Sequence, residues 1–129
     1  MRVLTVGCGS IGSRHIQNLD ANFSLDQRAY DVDTQQASEA VKGTAADVVK
    51  DFDDAVGEEL DAALVCTPNH LHLDIADQLL QTGADLFIEK PLSHSLEGVD
   101  NFLERAESRG VTVMVGCNMR FHPPVLRMR

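Results

Sequence analysis

Gly7, Gly9 and Gly12 form a G-x-G-x-x-G turn between an apolar run at residues 3–6 and a segment of helical pattern. The placement constrains the fold more than the glycines do, because the bare spacing arises by chance, whereas one that leaves a strand and opens a helix has a mechanical job. Gly7 permits a tight turn out of the strand, Gly9 keeps side chains away from an approaching pyrophosphate, and Gly12 lets the helix pack close to the sheet. A helix starting near Ser10 and Ile11 aims its unpaired N–H groups and positive dipole end at an anion. The implied ligand is a dinucleotide.

A dinucleotide site of this kind needs an acidic residue about 20 positions further on, to accept hydrogen bonds from the adenine ribose hydroxyls. Residues 27–31 read as a second short strand, and Asp31 stands 19 residues beyond Gly12. A carboxylate there repels a 2′-phosphate, and no Arg follows in Val32, Asp33 or Thr34, which favours NAD over NADP. The alternative is that Asp31 or Asp33 only caps the next helix.

Short apolar runs alternate with helical patterns along the rest of the chain, without an internal repeat or a linker. A weak helix is expected over residues 35–41, a short edge strand over 45–49 and an acidic helix over 51–60. The apolar strand at residues 62–66 ends in a turn at Thr67, Pro68 and Asn69, and Leu71, Ile75 and Leu79 follow at steps of four as the stripe of a helix. Residues 85–89 form a further strand. Ser95 is expected to cap a helix with an apolar face of Leu96, Val99, Leu103 and Ala106 before Gly110, and the last strand covers residues 111–115. Strict alternation with near-continuous apolar strands specifies an α/β chain, a doubly wound parallel sheet between two layers of helices, in the order 3-2-1-4-5-6.

Ligands of such sheets bind beyond the carboxyl ends of the strands. Most of the polar residues singled out here fall on that rim: Asp31, the turn from Thr67 to His70, then Glu89, Lys90 and Pro91, and finally Asn118, Arg120 and His122. His70 and His72 stand at i and i+2, which face different ways on a helix, so a shared metal ion is not expected; of the two, His70 at the strand end is the candidate site residue, with capping as its alternative. Cys8, Cys66 and Cys117 also lie at strand ends, where small apolar filler is favoured over metal or redox use. No metal site is expected.

Composition narrows the rest. The 129 residues are 43% hydrophobic, enough for one domain that buries about two-thirds of its extended surface. The net charge of −9, from 20 acidic and 11 basic residues, argues against a nucleic-acid surface. That density of carboxylate suits a halophile protein and an ordinary acidic cytosolic one equally. No run approaches a membrane span and the first strand starts at once, so a cytoplasmic protein with reduced cysteines is expected.

The glycine loop, Asp31 to Asp33, the Thr67-Pro68-Asn69 turn with His70 and His72, the Glu89-Lys90-Pro91 tripeptide and residues 118–123 together resemble the N-terminal domain of the glucose-fructose oxidoreductase, inositol dehydrogenase and rhizopine catabolism family (Gfo/Idh/MocA). The tripeptide is the most specific element, and the resemblance runs over the whole chain. It implies a Rossmann fold over residues 1–129 and an NAD(P)-dependent oxidoreductase acting on a sugar, cyclitol or related polyol. Lys90 would then be the catalytic residue beside the nicotinamide, and Thr67, Asn69, His70 and Glu89 cofactor-side residues, with Pro68 stiffening the turn and Pro91 following a cis bond. Arg120 and His122 would meet the substrate or the next domain. Family enzymes continue into a larger substrate domain, so this chain is expected to be the cofactor half, unable to turn over alone. Apolar surface around Val113, Val115, Phe121 and Val125 is expected to make it a homo-oligomer. The other class in play is a non-catalytic nucleotide-sensing or partner-binding module.

Overall fold

The computed structural model describes residues 1–57 and 59–128. Six parallel strands form one sheet in the order β3-β2-β1-β4-β5-β6: β1 (Arg2–Val6), β2 (Asp26–Tyr30), β3 (Asp47–Val48), β4 (Ala62–Val65), β5 (Asp85–Ile88) and β6 (Val113–Val115). The helices between them are α1 (Ser10–Asn22), α2 (Thr34–Ala40), α3 (Phe52–Gly57), α4 (His72–Leu80) and α5 (Val99–Arg109), and a last short helix α6 covers Pro123–Arg127. This is the doubly wound order read from the sequence.

Two layers of packing flank the sheet. On one side Leu4, Val6, Val65 and Ile88 meet Ala55 of α3, Leu79 and Leu80 of α4 and Phe102 of α5. On the other side Ile16 of α1 and Ala37 and Ala40 of α2 cover Ala29, with Cys8 and Ala46 beside them. Burial on both faces is why β1 and β4 are nearly continuous apolar runs rather than alternating ones.

The helices depart from the sequence reading in identifiable ways. The α5 helix does not start at Ser95: Gly98 takes a left-handed conformation (φ +78°), which no continuing helix can pass through, and the helix begins at Val99. Its buried face is therefore Phe102 and Ala106, while Leu96 is 88% exposed and Leu103 points outward. In α4 the sheet-facing stripe is His72, Ala76, Leu79 and Leu80, one step around the helix from the stripe expected. Leu79 alone belongs to both; Leu71 and Ile75 turn toward the ligand cleft instead. The edge strand and the acidic helix are shorter than expected, at Asp47–Val48 and Phe52–Gly57. Among the described residues no helix is long and apolar enough to cross a membrane.

Val113 packs against the core rather than lying open. The exposed apolar groups on and after β6 include Met114, 54% accessible, Met119, 57%, and Phe121, 72%, while Val115 and Val125 are half-buried.

Candidate functional site

A cleft of about 610 Å³ opens at the carboxyl ends of β1, β2 and β4. Its floor is the glycine turn. Gly7 has φ +92°, and a Cβ there would stand 2.7 Å from the Cys66 carbonyl carbon, so only glycine carries the chain from β1 past the end of β4. Gly12 lies buried beneath the cleft, where a Cβ would fall 1.8 Å from the Gly7 carbonyl oxygen. The close approach that Gly12 permits is thus of the helix to its own loop. Above Gly9 the space is open, since a Cβ would meet nothing within 4 Å. Ser10 and Ile11, in the first turn of α1, line the cleft beside it.

Asp31 forms the far wall. Its carboxylate accepts hydrogen bonds from the Cys8 amide at 2.7 Å, the Asp33 amide at 2.9 Å and the Gln36 side chain at 2.9 Å. Burial pushes its pKa up, but those three donors outweigh burial and hold the carboxyl below its usual range. Helix capping falls to Asp33, which accepts from the amides of Gln35 and Gln36. The two acidic residues divide the two roles weighed for them: Asp33 caps, while Asp31 ties the glycine loop to the end of β2 and faces the cleft.

Thr67 and Pro68 close the third side, and the Thr67 hydroxyl oxygen is buried without a hydrogen-bond partner among the described residues. The walls between these polar points are apolar, from Ile11, Val32, Leu71 and Ile75. Open space over Gly9, the amide groups of a 13-residue helix, a carboxylate opposite them and apolar walls fit an adenine dinucleotide.

The cleft does not include every residue singled out from the sequence. Asn69, His70, Glu89, Lys90, Arg120 and His122 lie outside its lining. Asn69 and His70 sit in an exposed 3₁₀ turn, Asn69–Leu71, and Arg120 in a second one, Asn118–Phe121, with His122 directly after it. Glu89 and Lys90 follow β5 on the same rim, and the Lys90–Pro91 peptide is cis. The Lys90 side chain is exposed, while its amide donates to Glu89 Oε2 at 3.1 Å. Glu89 is thus a carboxylate with structural work at the rim.

Two histidines organise this rim and were not assigned a site role from sequence. His72, 1% exposed, places Nδ1 2.7 Å from the Pro91 carbonyl and Nε2 2.7 Å from the Thr67 carbonyl. It joins the turn after β4 to the turn after β5 as a buried brace, a role the sequence reading gave to neither histidine. The available signal was its position: His72 shares a helix face with Ala76 and Leu79. His15 of α1 reaches across to Glu89, with Nε2 2.9 Å from Oε1. It stands three residues after Gly12, on the same side of the helix.

Cys8 and Cys66 are neighbours under the loop. Burial, helped by the Asp31 charge, pushes the Cys8 thiol up to about 12. Burial, helped by Glu89 and Cys8, does the same to Cys66, also to about 12. Both are neutral small filler at physiological pH.

Residues 1–117 match the Gfo/Idh/MocA oxidoreductase family, described as an NAD-binding Rossmann fold. The chain belongs to this family. It is 29% identical over 125 residues to an inositol 2-dehydrogenase of Rhizobium meliloti, covering 96% of this chain and 38% of that relative. Among solved structures, the UDP-N-acetylglucosamine 3-dehydrogenase of Acidithiobacillus ferrooxidans superposes with a TM-score of 0.89 at 27% identity, over 100% of this chain and 42% of that one. A gentamicin A biosynthesis protein solved in complex with NAD gives a TM-score of 0.90 at 28% identity, over 98% and 37% of the two chains. This Gfo/Idh/MocA chain is an NAD(P)-binding oxidoreductase domain, and it spans about two-fifths of the length of the relatives it matches.

Proposed function

We propose that the cleft binds NAD in preference to NADP, and that the chain is the cofactor domain of a dehydrogenase acting on a secondary alcohol of a sugar, cyclitol or related polyol. The observation that carries the cofactor choice is Asp31: a carboxylate held ionised on the cleft wall accepts from two ribose hydroxyls and repels a 2′-phosphate. The names of the relatives, an inositol and a UDP-N-acetylglucosamine dehydrogenase, support the substrate class. NAD supplies a hydride acceptor when bound.

The residues of the chain bind, orient and move protons. Gly7, Gly9, Ser10 and Ile11 receive the pyrophosphate, Gly12 lets α1 sit close beneath them, and Thr67, Pro68, Asn69 and His70 lie toward the nicotinamide half. Lys90 is the catalytic residue. Its ammonium orients the substrate hydroxyl, stabilises charge developing on that oxygen and shares in transfer of its proton. Glu89 holds the Lys90 peptide, and Arg120 and His122 stand beyond β6 on the side where substrate or a further domain would arrive. Catalysis by Lys90 is tested in the whole protein: Lys90→Met should cut turnover about 100-fold while leaving NAD affinity within about twofold. Normal turnover in that variant would overturn the role. Calorimetry on the chain itself tests the cofactor choice, and equal affinity for NADH and NADPH would overturn that part.

A further inference from the structure

Glu89 is enclosed by three elements of the fold. From α1, His15 brings Nε2 to 2.9 Å from Oε1. From β5, the Phe87 ring meets the His15 ring edge-on, with centroids 5.3 Å apart and planes at 67°, and fixes the imidazole's orientation. From the end of β6, Gly116 leaves the room: a Cβ there would lie 3.2 Å from the Glu89 carboxyl and 3.0 Å from the tip of Phe87. The second carboxylate oxygen, Oε2, accepts the Lys90 amide. Both side chains are mostly buried, Glu89 18% and His15 27% exposed. An imidazole with its hydrogen on Nε2 satisfies this arrangement as a charge-assisted donor.

We propose that His15 is a positioning residue that latches Glu89, and through it the Lys90 peptide, to the helix whose first turn faces the dinucleotide. The latch makes the pyrophosphate end of α1 and the lysine rim one unit, joined by side chains 74 residues apart in the chain. Without it the glutamate regains its rotamer freedom, and the Lys90 amide loses a fixed acceptor. The catalytic consequence rests on the reading of Lys90 given above, but the latch itself does not.

The decisive readout is therefore not activity. In the isolated chain, the Lys90 amide resonance should move in His15→Leu by the same shift as in Glu89→Gln, and should return to its wild-type position in His15→Gln, whose amide nitrogen restores a donor. Gly116→Ala, which crowds the carboxyl from the other side, should move the same resonance. In the whole protein, His15→Leu and Glu89→Gln should each lower kcat about tenfold, the double variant should be no worse than either, and His15→Gln should recover most of the loss. NAD affinity should stay within about twofold in all of them. A Lys90 resonance unmoved by His15→Leu, or additive losses in the double variant, overturns the latch. Full turnover in Lys90→Met overturns the role of Lys90 while the resonance still decides the latch.

Discussion

The two walls of the site are built by opposite means. The glycine loop and Asp31 form a wall of backbone: its shape depends on side chains that are missing at Gly7, Gly9 and Gly12, and its key hydrogen bonds run from loop amides to one carboxylate. The lysine rim is a wall of side chains, in which His72 and His15 reach from two helices to hold turns that follow other strands. The first wall fails when an atom is added at Gly7 or Gly12, and the second when a bracing imidazole is removed. A binding surface for a pyrophosphate can be made of main chain, whereas the lysine rim is braced by side chains from distant elements.

Adding an atom gives the largest expected effect. Gly12→Val puts a branched side chain where even a Cβ would lie 1.8 Å from the Gly7 carbonyl. The loop and α1 must separate, at a cost of more than about 4 kcal/mol, a large share of the stability of an ordinary domain. Urea denaturation showing wild-type stability would show that the loop relaxes at little cost, and the contrast between the walls would be lost.

Removing a buried imidazole comes next. His72→Leu keeps much of the volume but removes the ring that reaches both the Thr67 and Pro91 carbonyls in a buried site, and should cost about 2 to 3 kcal/mol of stability. His70→Leu on the same turn should change stability by less than about 0.5 kcal/mol, because that residue is exposed. Equal effects at the two positions would dissolve the distinction drawn between them.

An effect on ligand affinity sharpens the first wall. Asp31→Ala should weaken NADH by about 1 to 3 kcal/mol in calorimetry while leaving NADPH closer to its wild-type affinity. The same carboxyl carries a pH signature. Its folded pKa lies below the unfolded one, so its contribution to stability is present above the ordinary carboxylate range and is lost as pH falls through the lowered value. Acid denaturation of Asp31→Ala should accordingly be less steep than that of wild type. An unchanged acid limb would mean that the loop amides do not depend on this carboxylate.

The backbone wall was legible because its determinants are contiguous. The glycine spacing, the strand before it and an aspartate at the end of the next strand lie within residues 1–31, and the order of the sheet follows from alternation and handedness. The second wall was legible only in part. Glu89, Lys90 and Pro91 announced themselves by resemblance, but their braces come from His15 and His72, far away in sequence, and no periodicity links an imidazole to a particular carbonyl. Periodicity also misled at α5. Leu96, Val99 and Leu103 fit a helical stripe, yet Gly98 adopts a left-handed conformation between the first two, and the helix that forms turns Phe102 inward instead. In α4 a histidine occupies a position that hydrophobic pattern matching reserves for an aliphatic residue.

The state of the three cysteines has a practical consequence. Maleimides and iodoacetamides react through the thiolate, and burial pushes the thiols of Cys8 and of the half-buried Cys66 up to about 12, so both stay protonated at neutral pH. Cys117 is exposed at the end of β6. Brief treatment at neutral pH should therefore place one dye or spin label on the native chain, at the far edge of the sheet and away from the cleft. That gives a built-in reporter for whatever docks beyond β6, without engineering a cysteine-free background.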